Sequence, residues 1–471
     1  MPTDIVNQLD RIFKARSMAV IGASRDPSKW GGRMVMTPLT TGYRGEIYPV
    51  NPKEKEIFGL TCYPSVKDIP HEVDMAVIVV PAAIVPQAMR DCVRKGIKGA
   101  VVITAGFAEI GAEGKVLEDE VETIAREGGI RFVGPNGMGI YSSAVSLNLC
   151  LRNQIRVGRI AFISQSGTFG GLLAEIANRK GYGLSKFISI GNQADLKAAD
   201  YLEYLGEDRH TRAIVLYMEG FKDGERFFRI AREVIKKKPI VIYKAGRTEA
   251  AARATMSHTS SLAGSDEVFE AMCRQVGIIR ASEVAQPFDM AEALVSQPLP
   301  PGNRVAIIGS GGQGVVTSDT CESIGLRVPE FDDETKTTLK EAVPAHAPVP
   351  SNPVDFAGSS RTPLDEARVA DALARIDYID GIICNSPHLR GGVSSGDFAR
   401  KAIQGAEMLA AIPKQYGKPV ITLRWGSMDN DVASSIVKAA GIPSYDSPEQ
   451  CARAMQALAS YGEVLRQLEH E

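Results

Sequence analysis

One histidine of this 471-residue chain has neighbours that suggest chemistry. His258 lies within residues 248–264, a run of small and hydroxyl-bearing residues with weak apolar periodicity. A neutral imidazole nitrogen is a nucleophile and a proton acceptor near physiological pH. A lone histidine is also often a structural residue, so the pattern leaves a catalytic and a structural role open.

Charged and hydroxyl side chains that precede this segment could serve such a histidine. Glu219 follows the apolar run 213–218, and Lys244 and Arg247 follow the next apolar run. A carboxylate beside an imidazole fixes its tautomer and offsets the positive charge that develops during attack on phosphorus. As an alternative, Glu219 is only a surface cap.

A turn of small residues after another apolar run is the candidate phosphate site. Backbone N–H groups at a helix start can hold a phosphate, and the candidate residues are Ser164, Ser166, Gly167 and Thr168. The alternative is a helix cap with a glycine needed for packing. Taken with His258 and Glu219, this turn suits phosphoryl transfer through a covalent histidine intermediate.

Three segments that begin alike predict the fold. Each is a short apolar run followed by a glycine- or serine-rich turn and a helical pattern; the runs are Ser17-Met-Ala-Val-Ile-Gly-Ala-Ser24, Arg159-Ile-Ala-Phe-Ile-Ser-Gln-Ser-Gly167 and Arg304-Val-Ala-Ile-Ile-Gly-Ser-Gly-Gly312. Alternating strands and helices are typical of parallel sheets with right-handed crossovers. The sequence therefore predicts an α/β fold of three successive doubly wound domains, at residues 1–148, 149–298 and 299–471.

The first predicted domain has the features of a nucleotide-like cofactor site. Ligands of open parallel sheets bind beyond the carboxyl ends of the strands. The turn after the first strand offers Gly22, Ala23 and Ser24, although the full GxGxxG spacing is absent. The second strand contributes Pro49, Asn51 and Lys53 and has no acidic residue for an adenosine ribose. A lysine there suits an additional phosphate, which both NADP and coenzyme A carry. A turn without any ligand is the alternative.

The later strands of this domain end in further candidates. Two strands end in small residues that keep the crevice open, and a tight turn follows the last strand; these candidate cofactor-binding residues are Val80, Pro81, Thr104, Ala105, Pro135 and Asn136. The Asn136 amide offers donors and an acceptor. The alternative is that residues 134–136 form only a turn and have no binding role.

Composition excludes several other classes of protein. The formal net charge is −2 and the pI is about 6.4, which argues against binding nucleic acid or anionic membrane by bulk charge. No stretch approaches the ~20 apolar residues of a membrane span, and no secretory signal is visible. Seven cysteines are scattered singly, without metal-ligand spacing. We expect a cytoplasmic protein with reduced thiols and no metal site in this chain.

Eight short motifs, in order, resemble a known family. They are Ala19-Val-Ile-Gly-Ala-Ser24, Tyr48-Pro-Val-Asn-Pro-Lys53, Gly134-Pro-Asn136, Ser164-Gln-Ser-Gly167, Gly191-Asn192, Tyr217-Met-Glu219, Ser257-His-Thr259 with Leu262-Ala-Gly264, and Asn352-Pro-Val-Asp355. Over nearly the whole chain the sequence resembles the NDP-forming acyl-CoA synthetases, relatives of succinyl-CoA synthetase. The α subunits of ADP-forming acetyl-CoA synthetases are the most similar members.

The resemblance implies a role for each candidate. It favours coenzyme A over NADP in a Rossmann-like first domain and makes His258 a transiently phosphorylated histidine, with Glu219 as its steadying carboxylate. Residues 164–168 would hold the phosphate in a flavodoxin-like second domain. Gly311 and Gly312 would lend a second helix N-terminus from a flavodoxin-like third domain. The implied reaction is reversible: acyl-CoA, ADP and phosphate give the carboxylic acid, CoA and ATP through an acyl phosphate.

One departure and one absence qualify what the resemblance implies. The family usually has glycine where this chain has Ser260, which bears on the geometry of the histidine loop. Nothing in the sequence resembles an ATP-grasp domain or a Walker motif. The resemblance therefore implies a separate ATP-grasp β subunit in an α₂β₂ assembly, with ADP or ATP and Mg²⁺ bound on the partner.

Two other functions stay open at this point. The chain could be a regulatory protein that senses CoA or a dinucleotide and has lost the chemistry, which Ser260 alone favours. It could also be an NADP-dependent oxidoreductase, against which the missing GxGxxG and the histidine segment both argue.

Overall fold

The computed structural model describes residues 4–151, 153–251, 253, 265–309, 311–343, 347–356, 362–387, 396–424 and 432–470. The chain divides into two compact units, Met1–Val284 and Ala285–Glu471. His258 and Ser260 lie outside the described residues.

The first sheet of the first unit is parallel and is buried on both faces. Its apolar strands carry small and β-branched residues, as strands covered by helices on either side require. The strands are β1 (Ser17–Ile21), β2 (Glu46–Val50), β5 (Met75–Ile78), β6 (Gly99–Val102) and β7 (Arg131–Val133), in the order β2-β1-β5-β6-β7, while β3 (Glu56–Ile57) and β4 (Leu60–Thr61) form a separate small pair. The accompanying helices are α1 (Asp4–Phe13), α2 (Trp30–Thr41), α3 (Val85–Lys95) and α4 (Ala112–Gly128).

The second sheet of this unit is mixed. Its strands are β8 (Ile140–Ser142), β9 (Leu147–Asn148), β10 (Val157–Ser164), β11 (Leu184–Ser189), β12 (Ala213–Met218), β13 (Ile240–Lys244) and β14 (Ile279–Arg280), in the order β14-β13-β12-β10-β11-β8-β9. The described helices here are α5 (Gly167–Arg179), α6 (Ala198–Glu207), α7 (Gly224–Val234) and α8 (Asp266–Val276). The pairs β11–β8 and β8–β9 are antiparallel, and the pairs along β11-β10-β12-β13-β14 are parallel.

The strands β8 and β9 differ from the sequence expectation. They fall within residues 1–148, which were predicted to form the first domain, yet they pair with the second sheet. Both are too short for a periodic pattern to assign them to either sheet. The three domain boundaries themselves stay a prediction.

The second unit contains a third sheet, whose strand pairs are all parallel. Its strands are β15 (Val305–Gly309), β16 (Val354–Asp355), β17 (Gly381–Asn385), β18 (Val420–Leu423) and β19 (Ser444–Tyr445), in the order β16-β15-β17-β18-β19. The described helices are α9 (Gln286–Ser296), α10 (Gly312–Ser323), α11 (Asp333–Lys340), α12 (Pro363–Ala374), α13 (Asp397–Tyr416), α14 (Val432–Ala439) and α15 (Pro448–His470). The α/β class and its successive doubly wound sheets are thereby confirmed.

Within the part of the chain that is described, no helix is both long enough and apolar enough to cross a bilayer.

Candidate active site

A cleft of about 390 Å³ lies in the first unit, at the carboxyl ends of strands from both of its sheets. Loops after β6 and β7 form one wall, and the start of α5 with the loops after β11 and β12 forms the other. Its lining includes six predicted site residues: Thr104, Ala105, Asn136, Ser166, Gly167 and Thr168. Candidates for cofactor binding and for phosphate binding thus meet in one cavity.

The start of α5 gives the cleft its attraction for anions. Ser166 precedes the helix with extended backbone and makes no side-chain capping bond. The first N–H groups of a helix have no intrahelical acceptor, and the helix dipole adds positive potential there. The hydroxyl of Ser164, predicted as a phosphate ligand, is instead buried and donates to the Ser166 carbonyl at 2.7 Å. Ser164 therefore shapes the turn, whereas Ser166, Gly167 and Thr168 line the cavity.

Two loops, one from each sheet, are joined by backbone hydrogen bonds beside the cleft. The Asn192 N–H donates to the Pro135 carbonyl at 2.8 Å, and the Ala194 N–H donates to the Gly134 carbonyl at 3.1 Å. Gly191 has φ +55°, and a Cβ there would lie 2.0 Å from the Pro135 oxygen. Only glycine fits this close approach without displacing the backbone.

A partly buried polar network continues from that junction. The Asn136 side-chain N–H donates to the Asn192 side-chain oxygen at 3.3 Å. The Asn192 amide donates in turn to Glu109 at 2.5 Å and to Glu118 at 2.9 Å. Burial raises the pKa of Glu109, but hydrogen bonds from Asn192 and the Gly106 N–H outweigh it and hold the pKa below its usual value. The network therefore carries negative charge beside the cleft.

Lys222 supplies a cation to the same cavity. It lines the cleft, and its ammonium lies 3.9 Å from the carboxylate of Glu118, which is fully buried. Burial lowers the pKa of Lys222, and the nearby Glu118 charge opposes this shift. The cleft thus combines a helix N-terminus, amide groups and one lysine, a set suited to a phosphate or an acyl phosphate.

Glu219 lies next to this cavity. It is 6% exposed, and it directly precedes Gly220, which lines the cleft. Its backbone N–H donates to the Gln165 side-chain oxygen at 2.9 Å. The relation of Glu219 to His258 stays a prediction, because His258 is not described.

Lys244, the last residue of β13, and Arg247, three residues later, have other partners. The Lys244 ammonium donates to the Ala245 carbonyl at 2.9 Å, and burial lowers its pKa. Arg247 donates to the Ser282 carbonyl at 3.0 Å and lies over the Tyr243 ring. Neither residue is among those that line the cleft.

The other cofactor candidates form a group at the ends of β1 and β2. The N–H groups of Gly22 and Ala23 donate to the Val50 carbonyl at 3.0 and 3.2 Å. The Asn51 amide donates to the Ala23 carbonyl at 2.8 Å and accepts from the Lys53 N–H at 2.9 Å. The predicted residues of the first unit that are described and do not line the cleft are Gly22, Ala23, Ser24, Pro49, Asn51, Lys53, Val80, Pro81, Pro135, Ser164 and Glu219.

The third-domain candidates begin a helix of the second unit. Gly311 has φ +48° and precedes α10, whose first residue is Gly312. The Gly311 N–H donates to the Asp355 carboxylate at 3.2 Å. A phosphate-binding role for this turn stays a prediction.

Ten of the sixteen residues that line the cleft were not among the predicted site residues, and three of them carry amide or ammonium groups: Gln165, Asn192 and Lys222. Gln165 and Asn192 occur in the motifs that carried the resemblance, but no role was inferred for their side chains. Lys222 lies three residues after Glu219 at a strand end, where ligands of parallel sheets bind, and that position was the available signal.

Comparisons with known proteins agree with this geometry. Residues 16–143 match the family model described as a CoA binding domain, and residues 157–294 match the succinyl-CoA ligase like flavodoxin domain. The α subunit of the ADP-forming acetate–CoA ligase II of Pyrococcus furiosus is 42% identical over 453 residues, covering 96% of this chain and 97% of that protein. The chain belongs to the ADP-forming acyl-CoA synthetase family. The resemblance inferred from its motifs is confirmed.

Other family members match over nearly the same length. The α subunit of the ADP-forming acetate–CoA ligase I of Pyrococcus furiosus is 39% identical, covering 96% of this chain and 97% of that protein. A solved structure of the dinucleotide forming acetyl-coenzyme A synthetase 1 of Ca. Korarchaeum cryptofilum, in complex with phosphate and ADP, is 34% identical. It aligns with a TM-score of 0.87 over 98% of both chains.

Replacing Gly191 tests the loop junction. We expect Gly191→Ala to lower the free energy of unfolding by at least about 2 kcal/mol, since left-handed strain and overpacking each cost about 1 kcal/mol or more. The matched control is Gly42→Ala, at φ +90° with no atom within 4 Å of the added Cβ, which should cost only the strain. Urea unfolding followed by circular dichroism measures both, and equal losses would contradict the close approach.

Proposed function

We propose that this chain is the α subunit of an ADP-forming acyl-CoA synthetase. It would reversibly convert acyl-CoA, ADP and phosphate to a carboxylic acid, CoA and ATP. The observation that carries the proposal is the cleft in which the N-terminus of α5 meets the loops of the CoA-binding domain. An anion held there lies beside the domain that binds the thioester, as acyl transfer to phosphate requires.

The proposed reaction has three steps. A phosphate oxygen attacks the thioester carbonyl carbon; the C–O bond forms, the C–S bond breaks, and the CoA sulfur leaves and takes a proton. A nitrogen of His258 then attacks phosphorus, and the bond from phosphorus to the acyl oxygen breaks to release the carboxylate. Finally an oxygen of ADP attacks the phosphohistidine, and the P–N bond breaks to give ATP.

The side chains of the cleft have defined parts in this scheme. The first N–H groups of α5 and the Lys222 ammonium would stabilise the phosphate oxygens, where charge accumulates. Glu219 would hold the His258 imidazole in one tautomer and balance the phosphohistidine. The hydrogen-bonded loops at Asn192 and Pro135 would hold the two walls of the cleft together and exclude water from the acyl phosphate.

A second subunit completes the proposal. The ADP-forming acetate–CoA ligase I of Archaeoglobus fulgidus is 38% identical over 97% of this chain, which spans 64% of that protein. Two other relatives are named as α subunits. We infer that a separate ATP-grasp β subunit corresponds to the part of that relative which this chain does not span. This subunit would bind ADP and Mg²⁺, and the two kinds of subunit would form an α₂β₂ assembly.

Labelling tests the phosphohistidine step. With ³²P-phosphate and acetyl-CoA as the probe, the wild-type chain should acquire acid-labile, alkali-stable label, because phosphorus on a histidine nitrogen has that stability. His258→Ala should acquire none, while His470→Ala, which changes an exposed histidine of the last helix, should label like wild type. Absence of label in wild type, or undiminished label in His258→Ala, would refute the mechanism.

Replacing Lys53 tests whether this residue contacts the ribose phosphate of coenzyme A. If its ammonium meets the phosphate on the CoA ribose, wild type should bind CoA roughly fivefold more tightly than dephospho-CoA, the effect of about 1 kcal/mol for an exposed ion pair. Lys53→Met should remove this difference, and Lys55→Met, another exposed lysine of the same loop, should keep it. Calorimetric titration measures both ligands; a difference that survives in Lys53→Met would exclude this contact.

A further inference from the structure

The Gln165 side chain joins the turn that begins α5 to the end of β12. It lies between Ser164 and Ser166, is 7% exposed, and lines the cleft. Its backbone N–H donates to the Tyr217 carbonyl at 3.0 Å, which fixes the main chain from which the side chain extends.

Two backbone groups determine how the Gln165 amide is turned. Its Oε1 accepts from the N–H of Glu219 at 2.9 Å and from the N–H of Gly220 at 3.1 Å. Both groups are donors, so only the oxygen of the amide can face them. The Nε2 group must therefore point the other way.

The Nε2 group of Gln165 is available to a ligand. No described residue accepts a hydrogen bond from it. This nitrogen is also not fully buried. It therefore keeps access to solvent. Since Gln165 lines the cleft, that access is through the cavity that Gly167 and Lys222 also line.

We propose that Gln165 is a substrate-binding residue whose Nε2 donates a hydrogen bond to a phosphoryl oxygen in the cleft. The inference rests on the proposed function, which puts phosphate or an acyl phosphate there. Gln165 differs from Lys222 because its donor is neutral and is already oriented by two backbone bonds. Such a preorganised donor needs no rearrangement when the anion arrives.

The same two bonds give Gln165 a second effect. They fix the backbone of Glu219 and Gly220 to the turn that begins α5. An anion bound at Nε2 is thereby held at a constant distance from the strand end that carries the Glu219 carboxylate. Loss of the amide would affect phosphate binding first and the position of Glu219 second.

Gln165→Glu separates these two effects. The glutamate keeps an oxygen for the N–H groups of Glu219 and Gly220 but replaces the NH₂ donor with a second, charged oxygen. Binding of inorganic phosphate should weaken at least about 10-fold, as expected when a donor to a charged group is lost. CoA binding and the thermal midpoint should stay at wild-type values. Gln154→Glu, at an exposed glutamine before β10, is the control for the added charge.

Gln165→Met distinguishes a change of charge from loss of the donor. This variant is neutral and of similar length, so it should also weaken phosphate binding about 10-fold, and it should lower the thermal midpoint because two backbone N–H groups lose their acceptor. Calorimetric titration of the full chain with inorganic phosphate gives the affinities, and phosphate dependence of the ³²P labelling gives the functional counterpart.

Each outcome decides between the two proposals. Wild-type phosphate affinity in Gln165→Glu and Gln165→Met, or no phosphate binding by the wild-type chain, would overturn the role of Gln165. Phosphate binding that depends on Gln165, without any label on His258 in the wild type, would support the binding role and overturn the proposed function alone.

Discussion

The N–H groups at the start of α5, which no described side chain caps, are the constraint on which the site depends. A helix that begins in a cavity without a side-chain cap leaves donors that need an anion, water or a ligand. The residues around this turn fit that need. The Ser164 hydroxyl donates to the Ser166 carbonyl, and the Gln165 side chain accepts from the loop that follows β12. Neither side chain therefore caps the helix. The start of α5 is left open to a ligand.

The second constraint is the contact between loops of two sheets. Asn192 donates to the Pro135 carbonyl from its backbone and to Glu109 and Glu118 from its side chain. A fully buried carboxylate such as Glu118 is costly unless it is hydrogen-bonded and paired. Asn192 donates to it, and the ammonium groups of Lys115 and Lys222 lie 3.4 and 3.9 Å from it. The network thereby joins the loops of the CoA-binding domain to the loop after β11 on the other side of the cleft.

Much of this site could be predicted from the sequence because strand ends in parallel sheets converge. That rule pointed to the strand ends after which Thr104, Asn136 and Gly167 lie, and these residues follow different strands and line one cleft. The rule does not say which side chain points into the cavity. Ser164 and Gln165 are neighbours in sequence, yet one is a buried support and the other lines the cleft.

The remaining features depend on contacts that no local pattern records. The orientation of Gln165 is determined by the N–H groups of Glu219 and Gly220, 54 and 55 residues later. The membership of β8 and β9 in the second sheet is determined by pairing with β11, because strands of three and two residues have no periodicity of their own.

A crystal structure of the chain with inorganic phosphate and CoA would show whether the two ligands share one cleft. We expect a phosphate in the first unit's cleft, within hydrogen-bonding distance of the Gly167 and Thr168 N–H groups, with CoA on the wall that carries Thr104 and Asn136. A phosphate bound elsewhere, with this cleft holding only water while CoA is present, would contradict this expectation.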